Sequence, residues 1–150
     1  MPEESTSKPT TWFWVLAGAM LVWNLIGFMF YYQQSTLTQQ IMQDAGLTAQ
    51  QIAHITNTPA WGHSGYAIAV NAGVLGAIFL LLRKSWAVPF FVLSLLGALV
   101  QDLDAFILRD AIGAWGPNAV YLPLTVIVIC VAEILYARGA KAKGWLSRAR

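Results

Sequence analysis

Four long runs of apolar residues, separated by polar stretches, dominate the pattern along the chain. They cover about residues 12–32, 61–82, 86–108 and 117–137. A helix needs roughly 20 apolar residues to cross the hydrocarbon core of a bilayer, and each run reaches that length. Backbone groups inside hydrocarbon must be paired within their own segment, which favours helices over strands. The sequence therefore predicts an all-α fold, an integral membrane four-helix transmembrane bundle.

The segment at residues 33–60 is the one long connection between the predicted spans. A first short amphipathic helix is indicated by an apolar stripe that ends at a glycine, formed by Leu37, Ile41, Met42, Ala45 and Gly46. Thr48 and Gln51 then have the spacing of a capping box and predict a second short helix. Such a loop can cap the mouth of the bundle, or act as a lid or a docking element for a partner. The sequence leaves these alternatives open.

Composition supports the membrane assignment and excludes several other classes. The chain is 57% hydrophobic and only 11% charged, whereas soluble domains carry about 25% charged residues. A net charge of +2 gives no reason to expect a nucleic-acid partner. Cys130 is the one cysteine, so an internal disulfide and a cysteine metal cluster are excluded. We therefore predict neither a metal site nor a cofactor, and the lipid bilayer is the first expected partner.

The basic residues predict how the chain is oriented in the membrane. Eight of them fall at one end of the predicted spans: Lys8, Arg83, Lys84, Arg138, Lys141, Lys143, Arg148 and Arg150. Only Arg109 falls at the other end. Because cytoplasmic loops are enriched in Lys and Arg, both termini are expected to be cytoplasmic. The predicted organisation is an N-terminal tail at 1–11, a transmembrane domain at 12–138 and a basic tail at 139–150.

Small residues follow one face of the second predicted span. The strip consists of Gly65, Ala69, Gly73 and Ala77, and Gly97 repeats the theme in the third span. Small side chains allow the backbones of membrane helices to approach closely. The strip fits helix packing within one chain, and it also fits a seam with a second copy or a partner membrane protein.

Polar residues inside the predicted spans are the candidates for a binding site, because burying them in lipid is costly. The candidate ligand-binding residues are Asn24, Asn71, Gln101, Asp102 and Asp104. Asn24 and Asn71 lie at the same predicted depth, so their amides either bond to each other or line a polar cavity. Asp102 and Asp104 point about 160° apart on an α-helix, so at least one is expected to face another helix or a crevice. The alternative is that both lie at the external water boundary.

Two further charged groups carry expectations about structure. Glu133 lies one turn from the predicted end of the fourth span, where Arg83 or Lys84 is expected to form an ion pair with it. A proton relay is the alternative role for this group. Arg109 is expected to extend outward to the interface. No catalytic residue is predicted, because the chain has no phosphate-binding glycine loop, no GxSxG and no HExxH motif.

Three stretches of the chain resemble a known family. They lie at residues 23–32 (WNLIGFMFYY), 67–97 (AIAVNAGVLGAIFLLLRKSWAVPFFVLSLLG) and 136–144 (YARGAKAKG). They resemble small four-span proteins of the bacterial inner membrane, a family of uncharacterised function in which some members carry an automatic sugar-transporter label. The resemblance implies a location in that membrane and implies no catalytic or binding residues. The acidic cluster at residues 101–104 departs from the family pattern.

Three functional hypotheses follow from these observations. The first is an accessory or scaffold subunit that docks to a membrane complex through the small-residue strip and the glutamine-rich loop. The second is a transporter or binding protein for a small solute, sugar-like in one version, that acts as an oligomer. The third is a membrane enzyme acting on a lipid or quinone, for which the sequence offers no specific support.

Overall fold

The computed structural model describes residues 7–148, and this part of the chain consists of helices joined by turns and short loops, without a β-strand. In chain order the elements are α1 (Thr11–Ser35), α2 (Gln39–Asp44), α3 (Ala49–Thr56), α4 (Ala60–Leu81), α5 (Ala87–Asp102), a π-helix (Leu103–Leu108), α6 (Ala111–Trp115), a 3₁₀ turn (Pro117–Val120) and α7 (Tyr121–Ala142). Four helical segments, α1, α4, α5 with the π-helix, and α7 with the 3₁₀ turn, are long and apolar enough to cross a membrane. The predicted all-α bundle is confirmed, and the chain is a multi-pass membrane protein.

The bundle has two distinct ends, and we name each by what lies there. At the terminal end α1 begins, α4 meets α5 in a tight turn, and α7 ends. The loop end carries α2, α3 and α6. The helix boundaries differ from the prediction mainly in α7, which continues to Ala142 instead of ending near residue 137. The last turns of the third span form a π-helix, which the apolar pattern does not distinguish from an α-helix.

α4 is the central element of the packing. It packs extensively on both α1 and α5, and α5 packs on α7, whereas α1 and α7 barely contact each other. Gly65 and Gly97 allow the close approach of α4 and α5. A Cβ atom on Gly97 would lie 2.6 Å from the carbonyl oxygen of Gly65 and 2.6 Å from the amide nitrogen of Ala69. These glycines therefore let the two backbones touch, as membrane helices require in the absence of a hydrophobic driving force.

An apolar core closes the terminal end, and we call it the terminal core. It consists of Phe13, Ala17, Ala77, Leu80, Ala87, Phe91, Ala137, Ala140 and Leu146. Beyond α7 the chain turns at Gly144, where φ is 71°, and runs back beneath the α4–α5 turn. There the Ser147 amide donates to the Arg83 carbonyl, and the Ser85 amide donates to the Ser147 carbonyl. The polar backbone at this end is thus paired within the chain.

The two short helices predicted at the loop end are present. The Thr48 hydroxyl accepts from the Gln51 amide, and the Gln51 side chain accepts from the Thr48 amide, which completes the predicted capping box. Gly46 has a φ of 80° after α2. The Leu47 amide donates to the Met42 carbonyl, so α2 ends in a glycine C-cap as expected.

Candidate functional site

A crevice enters the bundle from the loop end and reaches its middle. The inner cavity has a volume of about 280 Å³ and is bounded by α1, α4, α5 and α7. Its walls are mostly apolar, and the side chains that add polar atoms are Trp23, Asn24, Tyr66, Ser94, Gln101, Asp102 and Cys130. None of the Lys and Arg residues within 7–148 lines this cavity. An apolar pocket with a few convergent polar groups is the usual form of a small-molecule site.

A wider cavity of about 840 Å³ adjoins the inner one at the loop end. The two share Phe30, Tyr66, Gln101, Leu122 and Pro123 in their walls, so they form one continuous crevice. Residues of the loop, among them Ile41, His54 and Thr58, line the outer cavity. The cap formed by α2 and α3 therefore borders the entrance.

The crevice exists because α1 and α7 do not pack along their length. At the terminal end, the ring of Phe13 fills the space between them and stacks on Tyr136 with centroids 6.4 Å apart. Toward the loop end, Trp23 and Phe30 of α1 face the cavity from one side, and Leu122 and Val126 of α7 face it from the other. The crevice is thus open at the loop end and closed by the terminal core below.

Asn24 and Glu133 join α1 to α7 across the crevice. Asn24 Nδ2 donates to Glu133 Oε1 at 2.7 Å and to the Met20 carbonyl at 2.8 Å. The Asn24 side-chain oxygen receives no hydrogen bond from any residue in 7–148. Gly73 leaves the space for that oxygen, because a Cβ atom at position 73 would collide with it.

Glu133 is only 1% exposed, and its Oε2 has no hydrogen-bond partner within the described chain. The predicted ion pair of Glu133 with Arg83 or Lys84 is wrong. α7 runs further than predicted, so Glu133 lies near the middle of the helix, away from the α4–α5 turn. Arg83 instead donates to the carbonyls of Trp145 and Ser7 at 2.8 and 3.0 Å.

The two asparagines predicted to share a depth face opposite sides of the bundle. Asn24 is buried at the crevice, while Asn71 is exposed on the outer surface of α4. Asn71 Nδ2 donates to the Ala67 carbonyl of its own helix at 2.8 Å. The amide–amide contact between the two is therefore absent, and Asn71 does not line the crevice. Depth along a helix follows from residue counting, but the rotation of each helix depends on how it packs.

Asp102 and Asp104 face different surroundings, as their angular spacing on the helix predicts. Asp102 is half-buried on the wall of the inner cavity and bonds to no described residue. Asp104 is 1% exposed and forms an ion pair with Arg109, whose Nε donates to Asp104 Oδ2 at 2.7 Å. A Cβ atom on Gly62 would lie 2.7 Å from the same carboxylate oxygen, so the glycine admits Asp104 against α4.

Arg109 turns inward, and the expectation that it extends outward to the interface is wrong. Its guanidinium binds Asp104 and also donates to the backbone carbonyl of His54 in α3. The π-helix sets this geometry. The Arg109 amide donates to the carbonyl of Asp104, five residues earlier, at 3.0 Å, and this spacing brings the two side chains to the same side of the helix. Trp115 Nε1 adds a contact of 3.4 Å to His54 Nδ1. This network holds the cap on the bundle.

Of the five predicted ligand-binding residues, Asn24, Gln101 and Asp102 meet at the crevice, and Asn71 and Asp104 do not. Sequence reasoning missed Tyr66, Ser94 and Cys130 as wall residues. Ser94 belongs to the small-residue face of α5, and its hydroxyl donates to the Ala69 carbonyl at 2.6 Å. The predicted packing residues Gly65, Ala69, Gly73 and Ala77 all lie buried on α4, and Gly97 lies buried opposite on α5.

No protein-family model, curated protein or solved structure matches this chain. Within residues 7–148, no three His, Cys, Asp or Glu side chains come together as a group that could hold a metal ion. The crevice is therefore the feature of this protein that bears on its function.

Proposed function

We propose that the protein binds a small amphipathic solute in the crevice, as a binding protein or transporter of the bacterial inner membrane. The observation that carries this proposal is the continuous crevice from the loop end to Asn24, with Gln101 and Asp102 on its wall. The location follows the family resemblance. With both termini cytoplasmic, as the distribution of basic residues favours, the crevice opens to the external side.

The polar groups of the inner cavity indicate the class of ligand. Asp102 accepts hydrogen bonds, and the free oxygen of Asn24 accepts one more, whereas no described Lys, Arg or His side chain lines the inner cavity to bind an anion. The remaining wall is apolar and includes the rings of Trp23 and Tyr66. This combination suits a neutral or cationic molecule with an apolar body and hydroxyl or amine donors. A hydroxylated, sugar-like amphiphile belongs to this class, and a phosphate or carboxylate does not.

The terminal core blocks the path from the cavity to the terminal end, so the structure supports solute binding more directly than it supports complete transport. Phe13 and Phe91 are fully buried below the cavity and separate it from the terminal end. Passage of a solute would need a second state in which this core opens, as alternating access requires. Solute binding from the loop end is therefore the step that we propose first.

Binding is tested with purified protein in lipid nanodiscs and three six-carbon probes of different head group. The probes are hexyl glucoside, hexylammonium and hexanoate, and the readout is the thermal unfolding midpoint across a concentration series. Hexyl glucoside or hexylammonium is expected to raise the midpoint of the wild type in a saturable manner, because a ligand that binds the native state stabilises it. Hexanoate is expected to give no such rise.

Two matched variants separate a crevice effect from partitioning into lipid. Asp102→Asn removes the charge from the cavity wall and is expected to reduce the apparent affinity at least tenfold. Asp44→Asn makes the same chemical change on the exposed end of α2, away from the inner cavity, and is expected to respond as the wild type does. Equal responses of the wild type and Asp102→Asn to every probe would refute the proposal.

A second candidate, an accessory subunit, is favoured by the surface of the cap. Leu37, just before α2, and Ile41 within it are 37% and 50% exposed there, and both also border the outer cavity. Purification of the wild type from native membranes in mild detergent is then expected to return a stoichiometric partner protein, and the Ile41→Glu variant is expected to purify without that partner. If the wild type and Ile41→Glu both purify as this chain alone, the result counts against this candidate.

A further inference from the structure

The outward face of α4 carries a regular stripe that no other helix within residues 7–148 covers. Its residues follow one another at alternating spacings of three and four and are all exposed: Trp61, Ser64, Ile68, Asn71, Leu75 and Ile78. α1 and α5 pack on the flanks of α4, and the crevice lies on its far side at Ala69 and Val70. A 3–4 repeat of this kind is the spacing that keeps one helix face directed at a parallel neighbour.

Asn71 lies at the centre of this stripe and near the middle of the span. An amide facing hydrocarbon is costly unless its donors and acceptor find partners. Asn71 Nδ2 uses one of its two hydrogens on the Ala67 carbonyl at 2.8 Å. The second hydrogen and the side-chain oxygen have no partner in the described chain. One donor and one acceptor thus point outward at mid-membrane depth.

We propose that a second copy of this chain covers the stripe, so that two α4 helices pack in parallel and their Asn71 amides bond to each other. Two copies inserted in the same direction are related by a two-fold axis along the membrane normal. A residue on that axis meets its own counterpart at the same depth. The unused donor of each amide then reaches the unused acceptor of the other, and both groups are satisfied.

The same arrangement explains why a second copy fits better than an unrelated helix. A different partner would have to offer one acceptor and one donor at this depth, whereas an amide is complementary to itself. Ser64 lies one heptad before Asn71 on the same stripe and meets its own counterpart too. Single asparagines in helix pairs fix register in this way. The dimer would leave both crevices accessible, because they face away from the axis.

Disulfide cross-linking in native membranes tests the proposal directly. In a Cys130→Ala background, Asn71→Cys is expected to give a covalent dimer of twice the chain mass after mild oxidation. Val128→Cys is the matched control, because Val128 is 66% exposed near the middle of α7 and lies outside the stripe. The yield at position 71 is expected to exceed that at position 128 several-fold. Equal yields, no dimer, or a cross-link to a protein of different mass would overturn the proposal.

A second measurement does not depend on cysteine chemistry. Fluorescence energy transfer between labelled copies, diluted with lipid in vesicles, gives the dimer dissociation constant. Asn71→Leu is expected to raise this constant roughly 3- to 30-fold for each amide hydrogen bond lost, while Val128→Leu leaves it unchanged. An Asn71→Leu protein that folds and dimerises as tightly as the wild type would also overturn the proposal.

Discussion

The two ends of the bundle are made from equally apolar helices, yet one is closed and the other is open. At the terminal end, the large side chains of Phe13, Leu80 and Phe91 are fully buried against alanines such as Ala77 and Ala87. At the loop end, the residues directed inward are large and polar, and include Tyr66, Gln101 and Asp102. Apolar rings packed on small residues fill space densely. Inward polar groups keep the helices apart, because closing the gap would bury them without partners.

The same contrast holds for polar groups at the two ends. The backbone of the chain satisfies the side chains at the terminal end, as when Arg83 donates to Trp145 and Ser85 donates to Ser147. Along the crevice, Asp102 on its wall and the Oε2 atom of Glu133 near the middle of the bundle lack such partners in the described chain. The unpartnered polar groups that could bind a ligand therefore lie around the crevice, while the terminal core and the Arg109–Asp104 pair stabilise the bundle on either side of it. Three sets of substitutions test this difference between the parts of the bundle.

Breaking the buried ion pair at the loop end is expected to have the largest effect. Arg109→Met leaves Asp104, which is 1% exposed, without its ion-pair partner. Removing one member of a buried pair costs about 3–5 kcal/mol of unfolding free energy. Reversible unfolding in bicelles measures this loss. The double variant Arg109→Met, Asp104→Asn is expected to recover much of it, and an unchanged stability of Arg109→Met would show that the pair is dispensable.

Two phenylalanines on one helix test the difference in packing between the ends. Phe13→Ala opens a cavity in the terminal core and is expected to lower the unfolding free energy by about 3 kcal/mol. Phe30→Ala removes the same side chain from the crevice wall, where Phe30 is 59% exposed, and is expected to cost under about 1 kcal/mol. Unfolding in the same bicelles compares them. Similar losses for both variants would contradict the comparison of a packed end with an open one.

Substitution of two glycines by alanine distinguishes a position in contact with another helix from a position where only helix propensity matters. Gly97→Ala forces a methyl group onto the backbone of α4 and is expected to destabilise the protein by about 1–3 kcal/mol. Gly139→Ala meets no atom within 4 Å and is expected to stabilise α7 by up to about 1 kcal/mol. The sign of the change in unfolding free energy distinguishes them. A stabilising Gly97→Ala would mean that α4 and α5 are not in direct backbone contact.

Local sequence patterns were sufficient to predict most of the helices, and they were insufficient to predict which side chains meet at the crevice. Thr48 and Gln51 predicted a capping box correctly, because both partners lie in one turn of the same helix. The Asn24–Asn71 and Glu133–Arg83 contacts were wrong, because each requires the rotation or the length of a helix that its own sequence leaves undetermined. The short α6 and the π-helix were missed, since neither changes the apolar periodicity enough to be visible.

The four spans, the two helices α2 and α3 of the loop and the small residues that bring α4 and α5 together can all be read from the amino-acid sequence. They follow from length, polarity and spacing, which hydrocarbon and backbone hydrogen bonding constrain strongly. The contact of Asn24 with Glu133, the inward turn of Arg109 to Asp104 and the outward face of Asn71 become visible only in the folded bundle. The packing of all four helices sets the rotation of each one, and a rotation of half a turn moves a polar group from the crevice to the lipid.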